Sequence, residues 1–270
     1  MPASVPDAER PFVETSIARL LRARLTVTHE ERGITVISGP WGIGKTTALD
    51  AFEEDHEGQC VVVKIDPGSS KRGATPIAVM QLAIEAMRPL SGRSERATLS
   101  NAYWTLRQMV YDSLCRNFGE DAHNVEYMPR FTFIFDEAQF LSKDAIEMLR
   151  FWNDGDRGTT PFPVGLVFVG NNEFALKEDA SGNSVLSGAV RSRLLFEEQL
   201  EYANVSDLDL TLFVQSRGIT DPAAIGEFVS YFSRGRRRDL RNAERHVTFC
   251  KRRAGDGPVT VEIVRGLLSP

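Results

Sequence analysis

The sequence has few cysteines, and they are not spaced in a way that would hold a fold together. Only three occur in 270 residues, at Cys60, Cys115 and Cys250, and no two of them form a CxxC pair. Disulfide frameworks and structural zinc sites normally use closely spaced, recurring cysteines. The pattern therefore argues against both kinds of cross-link and is typical of a protein kept in a reducing cytoplasm.

Long apolar runs are also missing. No run approaches the roughly 20 residues that a membrane-spanning helix needs, and the first ten residues, MPASVPDAER, lack the apolar centre of a secretory signal. Apolar residues still make up 42% of the chain, which is enough for a substantial core. We therefore expect a cytoplasmic globular protein with no membrane partner.

Acidic residues outnumber basic ones, 37 to 32, yet positive charge is concentrated in one segment. The formal net charge is −5, yet residues 234–253 contain nine Lys or Arg and only two Asp or Glu, which leaves −12 on the rest of the chain. A basic segment of this kind often forms a solvated helix face. The cluster alone therefore does not establish nucleic-acid binding.

Four short apolar segments predict buried β-strands that alternate with helices. They are ITVISG (34–39), CVVVKID (60–66), FTFIFD (131–136) and VGLVFVG (164–170). This alternation predicts a parallel, doubly wound sheet. After about residue 200 only helical patterns follow. We expect four helices there: one over 206–217, a second opened by Asp221 and Pro222, a third over about 237–253 and a fourth over 259–268. We expect an N-terminal helical extension over 1–30, an α/β core over 31–200 and an all-helical part over 201–270.

The segment GPWGIGKT (39–46) matches the phosphate-binding pattern GxxxxGK[ST] completely. Backbone N–H groups of such a loop surround phosphates, and the helix that follows points its positive end at them. Lys45 would reach the β- and γ-phosphates, and the Thr46 hydroxyl would bind Mg²⁺. Trp41 is expected to pack rather than to catalyse. The residues predicted to contact ATP are Gly39, Pro40, Trp41, Gly42, Ile43, Gly44, Lys45, Thr46 and Thr47.

Polar side chains follow the third and fourth predicted strands, at the end where ligands bind in parallel sheets. Asp136 would hold Mg²⁺, directly or through water, and would thereby contact the nucleotide. Glu137 would act as the general base that takes a proton from the attacking water. Asn171, favoured over Asn172, would orient that water or touch the γ-phosphate. A strand-end turn is the alternative interpretation of the two asparagines.

These motifs, in this order, resemble those of an AAA+ ATPase over roughly residues 30–255. The resemblance rests on GPWGIGKT (39–46), FIFDEAQ (133–139), Asn171, AVRSRL (189–194) and GRRRDL (235–240). It implies a parallel P-loop AAA+ α/β sheet flanked by helices and followed by a small helical lid. It also implies ATP and Mg²⁺ as cofactors, and hydrolysis of ATP to ADP and phosphate.

The resemblance further implies two arginine roles. Arg193, or less favourably Arg191, would reach the nucleotide of a neighbouring subunit, so the protein would oligomerise. Arg238, in a Gly-x-x-Arg pattern, would open a lid helix and contact ATP. Arg241 and Arg245 would then share a helix face with Arg238.

Within AAA+ proteins, the small size and the DEAQ sequence look most like transposition regulators of the TnsC/TniB/MuB type. This similarity implies ATP-dependent, largely sequence-nonspecific binding of double-stranded DNA, with assembly into a ring or helical filament that recruits or activates a transposase. A target-selection protein is a further implied partner. Lys71 and Arg72, in the loop GSSKRGATP (68–76), are the candidate DNA contacts.

Two alternatives stay open. One is an AAA+ loader or switch ATPase that acts on a protein partner such as a replicative helicase. The other is a small-molecule P-loop kinase, which the P-loop alone permits. Such kinases generally lack the Asp-Glu, Asn and Ser-Arg series. Nucleotide-dependent DNA binding would distinguish the transposition regulator from both.

Overall fold

The computed structural model describes residues 11–66, 73–93, 101–119, 129–154, 164–174, 184–234 and 238–268. The described helices are α1 (Ser16–Glu31), α2 (Lys45–Asp55), α3 (Pro76–Ser91), α4 (Ala102–Phe118), α5 (Lys143–Asp154), α6 (Gly188–Arg191), α7 (Asp207–Ser216), α8 (Pro222–Phe232), α9 (Leu240–Ala254) and α10 (Val261–Leu268). The strands are β1 (Ile34–Ser38), β2 (Cys60–Lys64), β3 (Thr132–Asp136), β4 (Gly165–Gly170) and β5 (Leu194–Gln199). Lys71 and Arg72 lie outside the described residues.

The five strands form one parallel sheet in the order β2-β3-β4-β1-β5. Every residue of β1, β3 and β4 is buried, as expected for parallel strands whose two faces are both covered by helices. The predicted fold class, an α/β sheet flanked by helices and followed by a helical part, is confirmed. Because β4 lies between β1 and β3, the carboxyl ends of these three strands lie side by side.

The sequence did not predict the fifth strand. Along β5, LLFEEQ, half-buried and exposed residues alternate, whereas the other edge strand, β2, is buried at four of its five residues. The acidic residues of β5 obscure the apolar signal. The structure compensates with Arg24, whose Nε lies 2.6 Å from Glu198 Oε1 and whose guanidinium lies 4.3 Å from the centre of the Phe196 ring. An ion pair and a cation–π contact thus support a strand that hydropathy does not reveal.

The chain divides into two compact units. One comprises residues 21–39 and 49–200 and contains the sheet with α3 to α6. Its core includes the buried aromatic side chains of Phe133, Phe135 and Trp152. The other comprises residues 1–20, 40–48 and 201–270 and contains the P-loop segment with α7 to α10. The predicted boundaries at residues 30 and 200 stay a prediction.

Capping residues define the helices of the second of these units. Ser206 and Asp209 form a reciprocal capping box at the start of α7, and the buried Asp209 carboxylate also accepts a 2.7 Å hydrogen bond from the backbone N–H of Ser16. Asp221 and Pro222 begin α8 as the sequence predicts. No described helix is both long and apolar enough to cross a membrane.

Helix α9 begins later than the sequence predicts. Asp239 is its N-cap, and its carboxylate accepts a 3.1 Å hydrogen bond from the backbone N–H of Asn242. The prediction began this helix at Arg237, because a run of arginines carries no start signal while the capping aspartate follows it. Arg238 therefore precedes the helix. The expectation that it shares a helix face with Arg241 and Arg245 is wrong.

Candidate nucleotide-binding site

The P-loop follows β1 directly in the chain, and α2 begins within the motif, at Lys45. Gly42 and Gly44 have φ angles of 77° and 93°, in the left-handed region that side chains with a Cβ rarely adopt. Two of the motif's glycines are therefore required by the backbone itself. The Lys45 ammonium donates a 2.8 Å hydrogen bond to the carbonyl oxygen of Pro40.

Ile43 and Trp41 differ sharply within this loop. Ile43 is fully buried, whereas Trp41 is 56% exposed. An indole exposed to this degree is not the packing residue that the sequence suggested. Its contact with a nucleotide stays a prediction.

Sequence reasoning missed a contact between the P-loop and the start of α9, which belong to the same compact unit. The backbone N–H of Leu240 donates a 2.8 Å hydrogen bond to the carbonyl oxygen of Gly42. A Cβ placed on Gly42 would lie only 1.9 Å from Oδ1 of Asp239. The N-terminus of α9 is therefore packed directly against the loop. The only sequence signal for this arrangement is a capping aspartate after the arginines.

The acidic pair lies where the sequence places it, at the carboxyl end of β3. Asp136 is the last residue of the strand and is buried. Its Oδ1 accepts a 2.9 Å hydrogen bond from the backbone N–H of Glu137. Glu137 has a φ of 59°, an uncommon left-handed conformation for a residue with a side chain. Such positions cost about 1–3 kcal/mol and cluster at functional sites.

Gln139 connects this acidic pair to the end of β4. Its Nε2 donates a hydrogen bond to Glu137 Oε2, and its Oε1 accepts one of 3.0 Å from the backbone N–H of Asn171. Asn171 is buried, and its Oδ1 accepts a 2.9 Å hydrogen bond from the backbone N–H of Glu173. Asn171 thus forms a turn, as the alternative interpretation held, and lies in the same network as Glu137. Asn172 is exposed.

The candidate trans arginines make contacts within their own unit. Arg193 Nε lies 2.6 Å from Asp154 Oδ1, and its NH1 donates a 2.9 Å hydrogen bond to the carbonyl oxygen of Ala189. Arg191 NH1 lies 3.2 Å from Glu197 Oε2. Both guanidinium groups therefore have carboxylate partners in this chain.

Arg238 is held among residues of the helical part. Its NH2 lies 2.6 Å from Asp207 Oδ1, and its other nitrogens donate to the carbonyl oxygens of Ser233 and Val205. The hydrogen bonds that Asp207 accepts, from Ser233 first and Arg238 next, lower the pKa of its carboxyl group. The predicted contact of Arg238 with ATP stays a prediction.

Thr46 in one compact unit and Asp136 in the other each carry an oxygen donor of a kind that Mg²⁺ binds, and their binding of one ion stays a prediction. Mg²⁺ is usually bound through one or two protein oxygens, with water and substrate phosphates completing the shell. A hydroxyl and a carboxylate are donors of this type. Among the described residues there is no group of three or more His, Cys, Asp or Glu side chains that could hold a metal by themselves.

Comparison with known proteins gives one family and several solved structures. The family model described as "AAA domain" matches residues 28–177, more than half of the chain. No protein with a curated description matches the sequence.

Three of the similar structures show the same fold at low identity. Cdc6p from Pyrobaculum aerophilum has a TM-score of 0.58 at 16% identity, over 99% of this chain and 69% of that one. ORC1 from Aeropyrum pernix, solved in complex with DNA, has 0.55 at 19%, over 97% and 67%. A RuvB mutant from Thermotoga maritima has 0.51 at 16%, over 96% and 72%.

Proposed function

Because the chain belongs to the AAA domain family, we propose that it is an ATPase that binds duplex DNA with little sequence preference when it carries ATP. We further propose that it oligomerises on target DNA, as a ring or helical filament, and there recruits or activates a transposase. The conformation of the P-loop carries the nucleotide part of this proposal. Its glycines take the left-handed angles that let backbone N–H groups approach phosphates closely.

Each chemical role in ATP hydrolysis has a candidate residue. Lys45 binds the β- and γ-phosphates. Thr46 and Asp136 would hold Mg²⁺, which would supply positive charge to the phosphates. Glu137 takes a proton from water while the water oxygen bonds to the γ-phosphorus. The bond from that phosphorus to the bridging oxygen breaks, and ADP leaves with the electron pair. Asn171 orients the water. This is the reaction ATP + H₂O → ADP + phosphate, with the proton passing to phosphate or solvent.

The described residues that support DNA binding lie on α9. Arg241, Arg245 and Arg252 are exposed and share one helix face with Phe249, which is 50% exposed. Their spacing of four and seven residues extends this basic face over about 16 Å of helix at 1.5 Å per residue. Arginines in such an array can neutralise several phosphates without reading bases. Lys71 and Arg72 remain proposed contacts.

The transposase and a target-selection protein are proposed partners because the short chain and DEAQ sequence look like the transposition regulators. The cysteine pattern supports a cytoplasmic location. Arg193 supplies a cation to the nucleotide of the neighbouring subunit, and Arg238 contacts ATP from the lid.

A loader or switch ATPase that acts on a protein partner is the second candidate. Two aromatic side chains favour it: Trp104 is 61% exposed and Phe151 is 63% exposed. Exposed aromatics of this size are enriched where proteins bind one another. A pull-down that recovers a replicative helicase in place of a transposase would select this candidate.

Fluorescence anisotropy of a labelled DNA duplex tests the proposal. We expect binding with a non-hydrolysable ATP analogue, weak binding with ADP, and an affinity that falls steeply as salt rises. Arg241→Gln combined with Arg245→Gln should reduce the slope of log K against log [salt] by about 2, since each lost phosphate contact removes about 0.9.

The matched control removes two cations from the same helix but off the basic face. Lys251→Gln combined with Arg253→Gln, both at exposed positions, should change the slope much less. Absence of nucleotide-dependent DNA binding by the wild-type protein at low salt would overturn the proposed DNA function.

A further inference from the structure

We propose that Gln139 is a positioning residue that holds the carboxylate of Glu137 in place for the attacking water and couples it to the end of β4. The inference rests on the proposed ATPase function and deepens it. Sequence motifs assign a role to Asp136, Glu137 and Asn171. No motif assigns a role to Gln139, which connects Glu137 to Asn171.

The orientation of the Gln139 amide follows from the chemistry of its partners. The backbone N–H of Asn171 is a donor, so the amide atom 3.0 Å from it must be the oxygen, Oε1. The opposite end is then the NH₂ group, which donates to Glu137 Oε2. Reversing the amide would face a donor with a donor and an oxygen with a carboxylate. The two hydrogen bonds therefore specify one orientation.

Close packing holds this amide in place. Gln139 is 8% exposed. A Cβ on Gly170 would lie 3.0 Å from Gln139 Oε1 and 2.7 Å from the Cβ of Phe174. Glycine at the end of β4 therefore leaves the space that the amide occupies. A side chain with two polar ends, buried and bonded at both, has little freedom to move.

The backbone of Glu137 is fixed, but its side chain is not. Its φ of 59° is held by the hydrogen bond from its own N–H to Asp136 Oδ1. The carboxylate at the far end of the side chain retains rotamer freedom that this bond does not remove. Gln139 holds the Oε2 atom of Glu137 and leaves the Oε1 atom of Glu137 to take the proton from water. Positioning of this kind matters because a displacement of about 1 Å can cost 100-fold in rate.

Steady-state ATP hydrolysis by Gln139→Met tests the inference. Methionine is of similar length but lacks both hydrogen-bonding ends. We expect kcat to fall by about 10- to 100-fold while the KM for ATP changes less than about twofold, since the P-loop residues that bind phosphate are unchanged. Gln108→Met is the matched control. Gln108 also donates to a carboxylate, at 3.0 Å from Asp112 Oδ1, but it lies on α4. The Gln108→Met variant should therefore have the same kcat as the wild-type protein.

A double-mutant cycle with Glu137→Gln separates positioning from a general structural effect. If Gln139 acts through Glu137, adding Gln139→Met to Glu137→Gln should not lower single-turnover phosphate release further. A wild-type kcat for Gln139→Met, a rise in KM without loss of kcat, or equal losses in both backgrounds would overturn the positioning role alone. An inactive wild-type protein, or full turnover by Glu137→Gln, would overturn the proposed ATPase and this inference with it.

Discussion

His29 shows how a single buried side chain links stability to pH. Its Nδ1 lies 2.9 Å from the hydroxyl oxygen of Thr132, and its ring meets that of His56 edge to face, with centroids 5.4 Å apart. Burial first, and the nearby His56 next, lower the pKa of His29 from 6.5 to about 4. The folded protein therefore keeps this imidazole neutral at pH values where the unfolded chain already binds a proton.

We predict that this difference destabilises the fold as the pH falls. Between pH 6.5 and 4 the unfolded state binds more protons, so the free energy of unfolding decreases by at most about 3 kcal/mol from this group. His29→Gln should flatten that part of the profile. Urea midpoints of both proteins at pH 7, 5.5 and 4.5 provide the check. An unchanged pH dependence in the variant would show that His29 is not the source.

Residue identities that follow from local chemistry could be predicted from the sequence. Lys45, Asp136 and Glu137 occupy positions fixed by a strand, a turn and the requirements of phosphate chemistry. Gln139 and Asp239 could not be assigned in this way. Their contacts join segments that are distant in the sequence, and a glutamine or an aspartate after a motif has many ordinary uses.

At the scale of elements, substitution of Gly42 tests the packing of α9 against the P-loop. Gly42→Ala would force a side chain into the left-handed region, at a cost of about 1–2 kcal/mol. It would also bring a Cβ against the Asp239 carboxylate. We predict at least a tenfold loss of affinity for a fluorescent ATP analogue, because the P-loop and the N-terminus of α9 must both shift to accept the alanine side chain.

Gly226→Ala is the matched control. Gly226 lies inside α8, and a Cβ there would have no atom within 4 Å. Alanine should therefore stabilise the helix by about 0.5–1 kcal/mol and leave nucleotide affinity unchanged. Thermal unfolding and the same titration measure both effects. Wild-type affinity in Gly42→Ala would contradict the importance of this contact.

The elements that the sequence predicted well are those whose burial is uniform. The strands β1, β3 and β4 are buried at every residue and mostly apolar, because the sheet is covered on both faces. The edge strand β5 was not recognised, since one face of it is exposed and its two glutamates, Glu197 and Glu198, interrupt the apolar pattern. Helix α9 was placed about three residues early because charge clusters do not mark a helix start, whereas the cap at Asp239 does.

At the scale of the whole molecule, we propose that ATP is hydrolysed in a site shared between subunits. Arg193 is bound by Asp154 within its own chain. We expect it to exchange this partner for the γ-phosphate of a neighbour on assembly, where the developing charge of the transition state needs a cation. Arg193→Ala should then abolish ATP hydrolysis while nucleotide binding remains.

Phosphate release by a mixture of two inactive variants is the direct test of a site shared between subunits. Lys45→Ala loses phosphate binding but keeps Arg193, and Arg193→Ala keeps an intact P-loop, so each alone should be inactive. Mixed in equal amounts with ATP and duplex DNA, they form some interfaces that contain both intact parts. We predict that the mixture regains measurable phosphate release. Full activity of Arg193→Ala alone, or no activity in mixtures shown to co-assemble, would contradict a shared site.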